Sequence, residues 1–494
     1  MSFSRTTKLK RGLQFPSKSA IVRQASTQKG NVMERTIIKN ATIISVDPKI
    51  GDLRRGDILI EGSKIAAIAP SIPADDTETI DGTDKIAIPG FIDSHRHTWE
   101  ALLRGTGADW TLAQYFTGVR KVMGGLYTPE DNFVANNLGA LDALDAGITT
   151  LYDWSHNNNS PEHSDASVQG LIDSGIRAVF GYGNANAEWL PISKIPTNYD
   201  DVRRVKKKYF STSDQLVTMA LAPRGAQYTT MEITEADFKV ARDLGLRITV
   251  HAGDGLWGMN NDIGRMHAKG LLGNDITYVH CNTLNDEEYR LIGATGGTAS
   301  IAPELEMHMG HGLPPALKLL AAGVRPSISI DVVTTVPSDM FSAMRALIAG
   351  TRLIVNMKAI EEKKIVDPLP LTSRDVLEFA TLQGAKACGL DHKVGTLTPG
   401  KEADIVLINT NAMNLIPLNN PVGAVVEFSN VGNIDTILIA GKIKKKNGKL
   451  VGIDFPAFRK RVDAQRDSLF ERAHAPTDGS WIVKPYTEEA KSEF

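Results

Sequence analysis

The chain has 494 residues, of which 42% are hydrophobic and 23% are charged, and its formal net charge at pH 7 is −2. These values are ordinary for a globular enzyme, and the small net charge gives no electrostatic basis for general binding to nucleic acid or to anionic membranes. No uninterrupted apolar run reaches the roughly 20 residues needed to cross a bilayer. The length allows more than one domain, although one α/β barrel can take up about 250 residues or more by itself.

The amino-terminal segment, residues 1–33, differs in composition from the rest of the chain. It carries seven basic residues and eight Ser or Thr residues, and no acidic residue precedes Glu34. This composition resembles a mitochondrial presequence, and a basic tail or an upstream extension of a start at Met33 is the alternative. Because no apolar signal region is present, secretion is not expected. The only two cysteines, Cys281 and Cys388, fit a reducing compartment. We therefore expect a cytoplasmic protein, or a protein of the mitochondrial matrix if the segment is a presequence.

Two β-rich segments are predicted on either side of the middle of the chain. Short apolar bursts between glycines in residues 34–70 predict a small antiparallel β unit. A similar pattern returns in the carboxy-terminal part of the chain, and we expect the two segments to pair as one discontinuous β-sandwich. The returning bursts are residues 403–408, 425–428 and 436–441, and the predicted domain consists of residues 34–88 and 396–455.

The middle of the chain, residues 89–395, alternates apolar strands with helical stretches, which is typical of βα units and a parallel sheet. Eight such strands predict an α/β fold, a (β/α)8 TIM-like barrel. A doubly wound open sheet is the alternative, because the number of strands does not prove closure. The predicted strands are residues 86–95, 147–153, 177–182, 216–222, 247–251, 276–280, 298–302 and 327–331.

The end of the chain, residues 456–494, is predicted to be a helical tail. Residues 458–473 have the mixed charge and apolar spacing of an amphipathic helix. We expect this helix to pack on the body of the protein or on a second subunit.

Polar residues end several of the predicted barrel strands, and they include a candidate metal site. Pro89-Gly-Phe-Ile-Asp-Ser-His95-Arg-His97 places two histidines two positions apart on an extended strand, where both side chains point to the same side. His251 ends strand five, and a core histidine is its alternative interpretation. Asp331 ends strand eight, where a buried carboxylate needs a partner such as a cation. Three histidines and one aspartate suit Zn²⁺, with Fe²⁺, Mn²⁺ or Co²⁺ also compatible.

A fourth imidazole ends predicted strand six, in Tyr278-Val-His280-Cys-Asn. We expect His280 to hydrogen-bond the attacking water or the substrate rather than to act as a fifth ligand. The neighbouring Cys281 points the other way on an ideal strand, so it is predicted to be core rather than a nucleophile. No Cys-x-x-Cys occurs in the chain, so any metal site is built from histidines and carboxylates.

These motifs resemble the amidohydrolase superfamily, specifically the mononuclear branch that contains cytosine, guanine and S-adenosylhomocysteine deaminases and the s-triazine hydrolases. The resemblance covers nearly the whole chain after residue 34, and it is specific for the superfamily but not for the substrate. Besides the His-x-His motif it includes Leu103-Arg-Gly, Val279-His-Cys, Asp339-Met-Phe-Ser-Ala-Met-Arg and Val394-Gly-Thr-Leu-Thr-Pro-Gly-Lys-Glu-Ala-Asp-Ile-Val.

The resemblance implies roles for the strand-end residues. It implies that Asp331 accepts a proton from the attacking water and that His280 orients this water or polarises the bond being cleaved. Binuclear relatives carry a carboxylated lysine at the end of strand four, whereas residues 217–224 contain no lysine, so one metal is expected. The implied metal ligands are His95, His97, His251 and Asp331.

Two departures from the family pattern concern the proton shuttle. Deaminase relatives carry Glu three residues after the strand-five histidine, where this chain has Asp254, one methylene shorter. After strand seven, relatives carry a Pro-x-Ser-Asn stretch, where this chain has Ala302-Pro-Glu304-Leu-Glu306. Glu304 or Glu306 could take over proton transfer, and a solvated or ion-paired loop carboxylate is the alternative for both. The predicted catalytic residues are Asp331, His280, Asp254 and Glu304.

Residues that follow the strand ends are predicted to shape the substrate pocket, because aromatic and polar side chains at a barrel mouth line a largely apolar cavity. Each can equally be core beneath a long loop. The predicted substrate-binding residues are Trp99, Asp153, His156, Trp257, Glu306 and His308, with Trp110, Tyr115, Trp154 and Met259 beside them.

The predicted function is hydrolysis of a C–N bond, other than a peptide bond, in a small molecule by a metal-activated water. Deamination of a heterocycle and cleavage of an amide-like bond are the leading reactions. One alternative uses the same metal site for decarboxylation or hydration, and another is a non-catalytic binding subunit. The expected partners are a small-molecule substrate, one divalent ion, with Zn²⁺ preferred, and further copies of the chain in a homo-oligomer. No basic surface predicts a nucleic-acid substrate, and no membrane partner is expected.

Overall fold

The structure of the protein is a computed structural model, and it describes residues 35–73, 75–185, 192–477 and 480. The segment considered as a presequence, residues 1–33, lies outside the described residues. The strands form two separate sheets, one of eight and one of nine strands. No helix in the described part of the chain combines the length and the apolar character that crossing a bilayer requires.

Seventeen strands occur in the described residues. In chain order they are β1 (Arg35–Ile44), β2 (Asp52–Glu61), β3 (Lys64–Ala69), β4 (Glu78–Asp81), β5 (Lys85–Pro89), β6 (Phe91–Arg96), β7 (Ile148–Ser155), β8 (Arg177–Tyr182), β9 (Val217–Leu221), β10 (Ile248–Ala252), β11 (Ile276–His280), β12 (Thr298–Ile301), β13 (Ser327–Ile328), β14 (Ile405–Asn409), β15 (Ile434–Ile439), β16 (Lys442–Lys446) and β17 (Lys449–Leu450).

The α-helices of the described residues lie mostly between the strands β6 to β14. They are α1 (Leu112–Tyr115), α2 (Pro129–Asp145), α3 (Pro161–Ser174), α4 (Tyr199–Tyr209), α5 (Gly225–Tyr228), α6 (Met231–Asp243), α7 (Asp262–Ala268), α8 (Asp286–Ala294), α9 (Pro303–Met309), α10 (Ala316–Ala321), α11 (Met340–Glu361), α12 (Ser373–Glu378), α13 (Gly384–Ala387), α14 (Pro421–Gly423) and α15 (Phe455–Arg472).

The eight strands β6 to β13 form a parallel sheet in which each strand pairs with the next one along the chain. The two ends of this sheet meet: the backbone N–H of Asp331 donates to the carbonyl of His95 at 3.0 Å, and the N–H of His97 donates to the carbonyl of Asp331 at 2.9 Å. These bonds join the last strand to the first, so the open-sheet alternative is wrong. The predicted (β/α)8 barrel is confirmed.

The nine-stranded mixed sheet combines strands from both ends of the described chain. Its order is β17-β16-β15-β14-β5-β1-β2-β3, with β4 also paired to β1. The junction between the two segments is the antiparallel pair β5 and β14, which runs from Pro89 opposite Ile405 to Lys85 opposite Asn409. The prediction that the amino- and carboxy-terminal segments form one discontinuous β unit beside the barrel is confirmed.

The first predicted strand, residues 86–95, is divided between the two sheets. Strand β5 belongs to the mixed sheet and β6 belongs to the barrel. The division falls at Gly90, where a Cβ atom would lie 2.0 Å from the Oγ1 atom of Thr149. Only glycine lets the chain pass this close to β7 while it changes sheets. Predicting one continuous strand was therefore wrong, because an apolar run does not reveal which sheet its residues join.

We expect Gly90→Ala to lower the free energy of unfolding by about 1–3 kcal/mol or more, because the added methyl overlaps Thr149 in a packed region. Urea unfolding followed by circular dichroism would measure the change. Gly125→Ala is the matched control, since Gly125 is exposed and its added Cβ would meet no atom within 4 Å. Equal stability of the two variants would contradict the proposed crossing.

Two other predicted elements differ from the structure. Residues 425–428 were expected to be a strand, but Ala424–Phe428 is helical and continues from α14. The reason is local: the side chain of Asn420 accepts a hydrogen bond from the N–H of Gly423, and Pro421 occupies the first helical position. The last barrel strand is also shorter than predicted, since the ladder of β13 ends at Ile328.

The predicted carboxy-terminal helix is present as α15, and it packs on the barrel domain of its own chain. Leu469 and Phe470 are its buried residues. Arg461 pairs with Glu130 of α2 at 2.6 Å, and the guanidinium lies over the ring of Phe133 at 4.7 Å from its centroid. The first of the two predicted positions, on the body of the protein, is the observed one.

Candidate active site

Four strand-end residues converge at the carboxyl end of the barrel. The Nε2 atoms of His95 and His97 lie 3.1 Å and 3.3 Å from the Oδ1 atom of Asp331. The ring of His251 lies edge-on to that of His95, with centroids 5.0 Å apart. The structure thus brings together the four side chains that the sequence predicted as metal ligands. They meet because parallel strands of a barrel end on the same face.

The protonation states of these groups suit a cation. Burial lowers the pKa of His95, lowers that of His97 to about 3, and lowers that of His251 well below its ordinary value. Burial would favour the neutral form of Asp331, but the surrounding imidazoles outweigh it and hold the pKa of this carboxyl well below its ordinary value. Neutral imidazoles and an ionised carboxylate are the forms that bind metals.

One hydrogen bond sets the orientation of a ligand ring. The Nδ1 atom of His97 lies 3.0 Å from the carbonyl oxygen of Trp154. Because a carbonyl oxygen only accepts, Nδ1 carries the hydrogen, and Nε2 is left with a lone pair directed at the Asp331 side of the site. The donor set of three imidazole nitrogens and one carboxylate oxygen therefore fits a divalent ion such as Zn²⁺.

His280 lies beside the candidate ligands, and Glu306 fixes the orientation of its ring. Its Nε2 atom is 3.8 Å from the Oδ2 atom of Asp331, and its Nδ1 atom is 3.2 Å from the Oε1 atom of Glu306. Glu306 is completely buried, and it also accepts from the N–H of Ala302 at 2.7 Å and from Asn282 at 2.9 Å. Burial alone would lower the pKa of His280, but the carboxylates around it raise it to about 9. The contact with Glu306 orients the imidazole so that its Nε2 atom faces Asp331 and can donate a hydrogen bond into the site.

The backbone is strained at two of these strand ends. His280 has a φ of +76° and Asp331 a φ of +66°, values in the left-handed region that few non-glycine residues adopt. Such strain is tolerated where the surrounding structure enforces it, and it concentrates at functional sites. Here it turns both side chains toward the barrel axis.

Asp254 and its two hydrogen-bonding or ion-pairing partners form a second polar cluster that lines the cavity. The hydroxyl of Tyr228 donates to its Oδ2 atom at 2.7 Å, and the Nδ1 atom of His311 lies 3.0 Å from its Oδ1 atom. Burial alone would raise the pKa of Asp254, but the imidazoles of His311 and His280 lower it to about 2. Asp254 is therefore a carboxylate across the neutral pH range.

A cavity of about 620 Å³, which includes space open to solvent, connects these groups. Its wall has an apolar part, a metal-ligand part and a cationic part that includes two arginines. The lining residues are His97, Leu112, Tyr115, Phe116, Arg120, Trp154, His156, Asn184, Ala222, Arg224, Tyr228, His251, Asp254, His280, Met309, His311, Asp331 and Val332.

Of the residues predicted to bind substrate, His156 lines the cavity and stacks on His97, with ring centroids 3.9 Å apart. Trp99 is fully buried behind it and donates to the Nδ1 atom of His156 at 2.8 Å. Asp153 accepts from the N–H of Thr98 at 3.1 Å, and burial raises its pKa to about 7. Trp99 and Asp153 thus support the site from outside the cavity lining.

Tyr115 and Trp154, also among the predicted pocket residues, line the cavity, whereas the remaining candidates lie outside the lining. Trp257 packs edge-on against Phe116, with centroids 5.2 Å apart. Glu304 is half-buried and accepts from the hydroxyl of Ser342 at 2.7 Å, and His308 is exposed on α9. Direct contact with substrate for Trp99, Asp153, Trp257, Glu306 and His308, and proton transfer by Glu304, stay predictions.

Several lining residues had no predicted role. Arg120 lies on a π-helical turn, Phe116–Met123, and Arg224 and Tyr228 follow β9. No local sequence pattern marks these positions, because long-range packing alone brings them to the cavity. His311 is marked by such a pattern, since it lies between two glycines in the loop after β12.

Residues 86–444 match the model of the Amidohydrolase family, and the chain belongs to this family. The resemblance read from the sequence is confirmed. The chain is a metal-dependent hydrolase that acts on carbon–nitrogen bonds.

Curated relatives that match most of the chain are deaminases of adenosine derivatives. The 5'-deoxyadenosine deaminase of Methanothermobacter thermautotrophicus is 26% identical over 425 residues, which cover 83% of this chain and 95% of that protein. The 5-methylthioadenosine/S-adenosylhomocysteine deaminase of Caldicellulosiruptor saccharolyticus is 25% identical over 458 residues, covering 88% of this chain and 99% of the relative.

Solved structures share the fold at lower identity. An adenosine deaminase from Xanthomonas campestris with bound zinc has a TM-score of 0.76 and 21% identity, covering 88% of this chain and 98% of its own. An atrazine chlorohydrolase from Arthrobacter aurescens, complexed with zinc and atraton, has a TM-score of 0.77 and 22% identity. The match covers 87% of this chain and 100% of the chlorohydrolase chain.

Proposed function

We propose that this protein removes an amino or alkylamino group hydrolytically from a small nitrogen heterocycle. The observation that carries the proposal is the convergence of four candidate metal ligands, three of which line the cavity, with the imidazole of His280 and the carboxylate of Asp254. The curated relatives, which are deaminases of adenosine derivatives, support the same class of reaction. We propose one ion, Zn²⁺ first, held by His95, His97, His251 and Asp331.

A divalent cation bound there would supply Lewis acidity that lowers the pKa of a water molecule from about 15.7 to about 7. Asp331, which is ionised, accepts a proton from this water as the water oxygen forms a bond to the ring carbon. His280, which Glu306 holds in place, donates a hydrogen bond toward the charge that develops as the ring carbon becomes tetrahedral. The C–N bond then breaks, and the leaving nitrogen takes a proton from the protein.

The lining suggests the form of the substrate. Aromatic and apolar side chains, among them Phe116 and Trp154, offer flat contacts for a heteroaromatic ring. Arg120 and Arg224 lie on the same cavity wall, and Arg120 is only 5% exposed. Both guanidinium groups already donate to backbone carbonyls, Arg120 to that of His156 and Arg224 to that of Ile195. Because they also bring positive charge to the cavity wall, we propose that the substrate carries acceptor groups, such as carbonyl or carboxylate oxygens, away from the reacting amine.

The test is release of ammonia or amine by zinc-loaded protein from a panel of aminopurines, aminopyrimidines and amino-s-triazines, each with and without a carboxylate substituent. We expect release from at least one compound, with kcat/KM at or above about 10⁴ M⁻¹s⁻¹, the lower end for enzymes acting on their own substrates. Measured carbon dioxide release or hydration without amine release would favour the non-hydrolytic alternative. Tight binding of ligands without turnover by metal-loaded protein would favour the binding-subunit alternative.

A further inference from the structure

Asp254 is poorly placed to carry a proton to the leaving group by itself. Its side chain is one methylene shorter than the glutamate of the family pattern, and both of its oxygens already face partners. Oδ2 accepts from the hydroxyl of Tyr228 at 2.7 Å, and Oδ1 lies 3.0 Å from the Nδ1 atom of His311. Reaching a substrate would break both contacts inside a buried site.

His311 lines the same cavity as Asp254. Its side chain is 2% exposed, it lines the cavity, and its Nε2 atom has no hydrogen-bond partner among the described residues. The contact of Nδ1 with Asp254 is at ion-pair distance, although the ring is not aligned for a linear hydrogen bond. The ring also lies edge-on to His280, with centroids 4.8 Å apart. An imidazole nitrogen is thus left available next to the groups that surround the reacting carbon.

One residue positions both imidazoles. The backbone carbonyl of Glu306 accepts from the N–H groups of Gly310 at 3.1 Å and His311 at 2.9 Å, while its side chain holds His280. Gly312 follows with a φ of +137°, and a Cβ atom there would lie 3.1 Å from the Cβ of Asn282. The Gly-His-Gly turn therefore places His311 in the cavity with a geometry that depends on the end of α9.

We propose that His311 is a further catalytic residue of the reaction, with its Nε2–H protonating the departing nitrogen and with Asp254 and Tyr228 positioning the ring. This inference rests on the proposed function. As the C–N bond breaks, its electron pair stays on nitrogen, which takes the Nε2 proton. His311 gives up one proton and Asp331 gains one from water. When a proton returns to the neutral imidazole and Asp331 is ionised again, one water has been consumed and one amine released. Asp254 stays ionised throughout and stabilises the imidazolium, as the third member of a catalytic triad does.

The same three side chains suggest a competing arrangement. Ligand atoms of Asp254, His280 and His311 lie within 4.8 Å of one another and could hold a cation. A second cation there would remove the proton from His311 and contradict the proposal. Metal content therefore belongs in the test.

The experiment compares an amino heterocycle identified by the screen with the same heterocycle bearing chloride in place of the amine. In His311→Gln we expect kcat for the amine to fall about 100-fold or more, in the range of a lost general acid, with KM changed little. The chloride leaves without a proton, so its kcat should change less than about 10-fold. A merely structural role would lower both rates equally. His392→Gln, at an exposed position outside the cavity lining, is the matched control and should leave both rates unchanged.

Equal losses for both leaving groups, wild-type rates in His311→Gln, or loss of one of two metals in that variant would each overturn the proposal.

A measurement that needs no substrate distinguishes failure of the His311 proposal from failure of the proposed function. In ¹⁵N-histidine spectra of the zinc-loaded protein, we expect the His311 signals, assigned with His311→Gln, to show a protonated Nδ1 that Asp254→Asn weakens. An unprotonated Nδ1 would overturn the inference even if amine release is found. Failure of amine release with these signals present would instead overturn the proposed function.

Discussion

Asp331→Ala is expected to lower kcat at least about 1,000-fold and to release the metal. Asp331 is the carboxylate of the proposed ligand set, with its Oδ1 atom 3.1 Å from the Nε2 atom of His95 and 3.3 Å from that of His97, and it is the proposed acceptor of the water proton. Loss of water activation removes several kcal/mol of transition-state stabilisation, and each factor of ten in rate corresponds to about 1.4 kcal/mol. The truncation also leaves buried imidazoles around an empty space.

Elemental analysis of the purified protein checks this result alongside the rate. We expect about one zinc or other divalent ion per chain in the wild type, and much less in Asp331→Ala and in His251→Ala. His392→Ala is the control, because this exposed histidine lies outside the cavity lining and should keep both metal and activity. A stoichiometry near two would contradict the single-ion site. Full metal content in Asp331→Ala would contradict its assignment as a ligand.

Asp404→Ala is expected to lower the free energy of unfolding by about 3 kcal/mol, at the lower end for a broken buried ion pair, because Arg177 keeps only a 3.7 Å contact with Glu402. The guanidinium of Arg177, on barrel strand β8, donates to both carboxylate oxygens of Asp404 at 2.8 Å and 3.0 Å. Asp404 also accepts from the N–H of Ala440 at 2.8 Å. The pair thus connects the barrel to the nine-stranded sheet in a region from which water is excluded.

An exposed pair between the same two parts of the molecule is the matched control. Arg374 of α12 pairs with Asp52 of β2, and their side chains are 50% and 39% exposed. Arg374→Ala should cost no more than about 1 kcal/mol, as is usual for exposed ion pairs. Urea unfolding of the metal-loaded proteins measures both values. Similar costs for the two variants would contradict the buried pair as a main connection between the sheets.

The fold was predictable because its repeating units leave local signals. The strands β7 to β12 were predicted to within two residues at each end, since a strand buried on both faces is a continuous apolar run and each is followed by a helical stretch. The division at Gly90 was not predictable in this way. Nothing in the apolar run of residues 86–95 says that β5 pairs with a strand more than 300 residues away.

The candidate site was predictable where its residues end strands. His95, His97, His251 and Asp331 follow from one rule, because every strand of a barrel delivers its last residue to the same face. Trp99 follows the end of β6 and Asp153 lies near the end of β7, yet both lie outside the cavity lining, since the direction of a side chain there depends on what packs against it. His280 lies beside the candidate metal ligands, but its partner Glu306 was predicted as a pocket residue or a proton carrier rather than as the group that holds His280.

The sequence by itself determined the barrel, the second β unit and the candidate metal ligands, because these depend on periodicity and on which residue ends a strand. Only the tertiary structure decided which groups surround the substrate cavity. Arg120, Tyr228 and His311 come from three different segments that connect barrel strands, and their approach to Asp254 and the candidate ligands depends on distances between strands that lie far apart along the chain. Hydrogen bonds such as that of Tyr228 to Asp254 form at a separation of 26 residues, which no local pattern encodes.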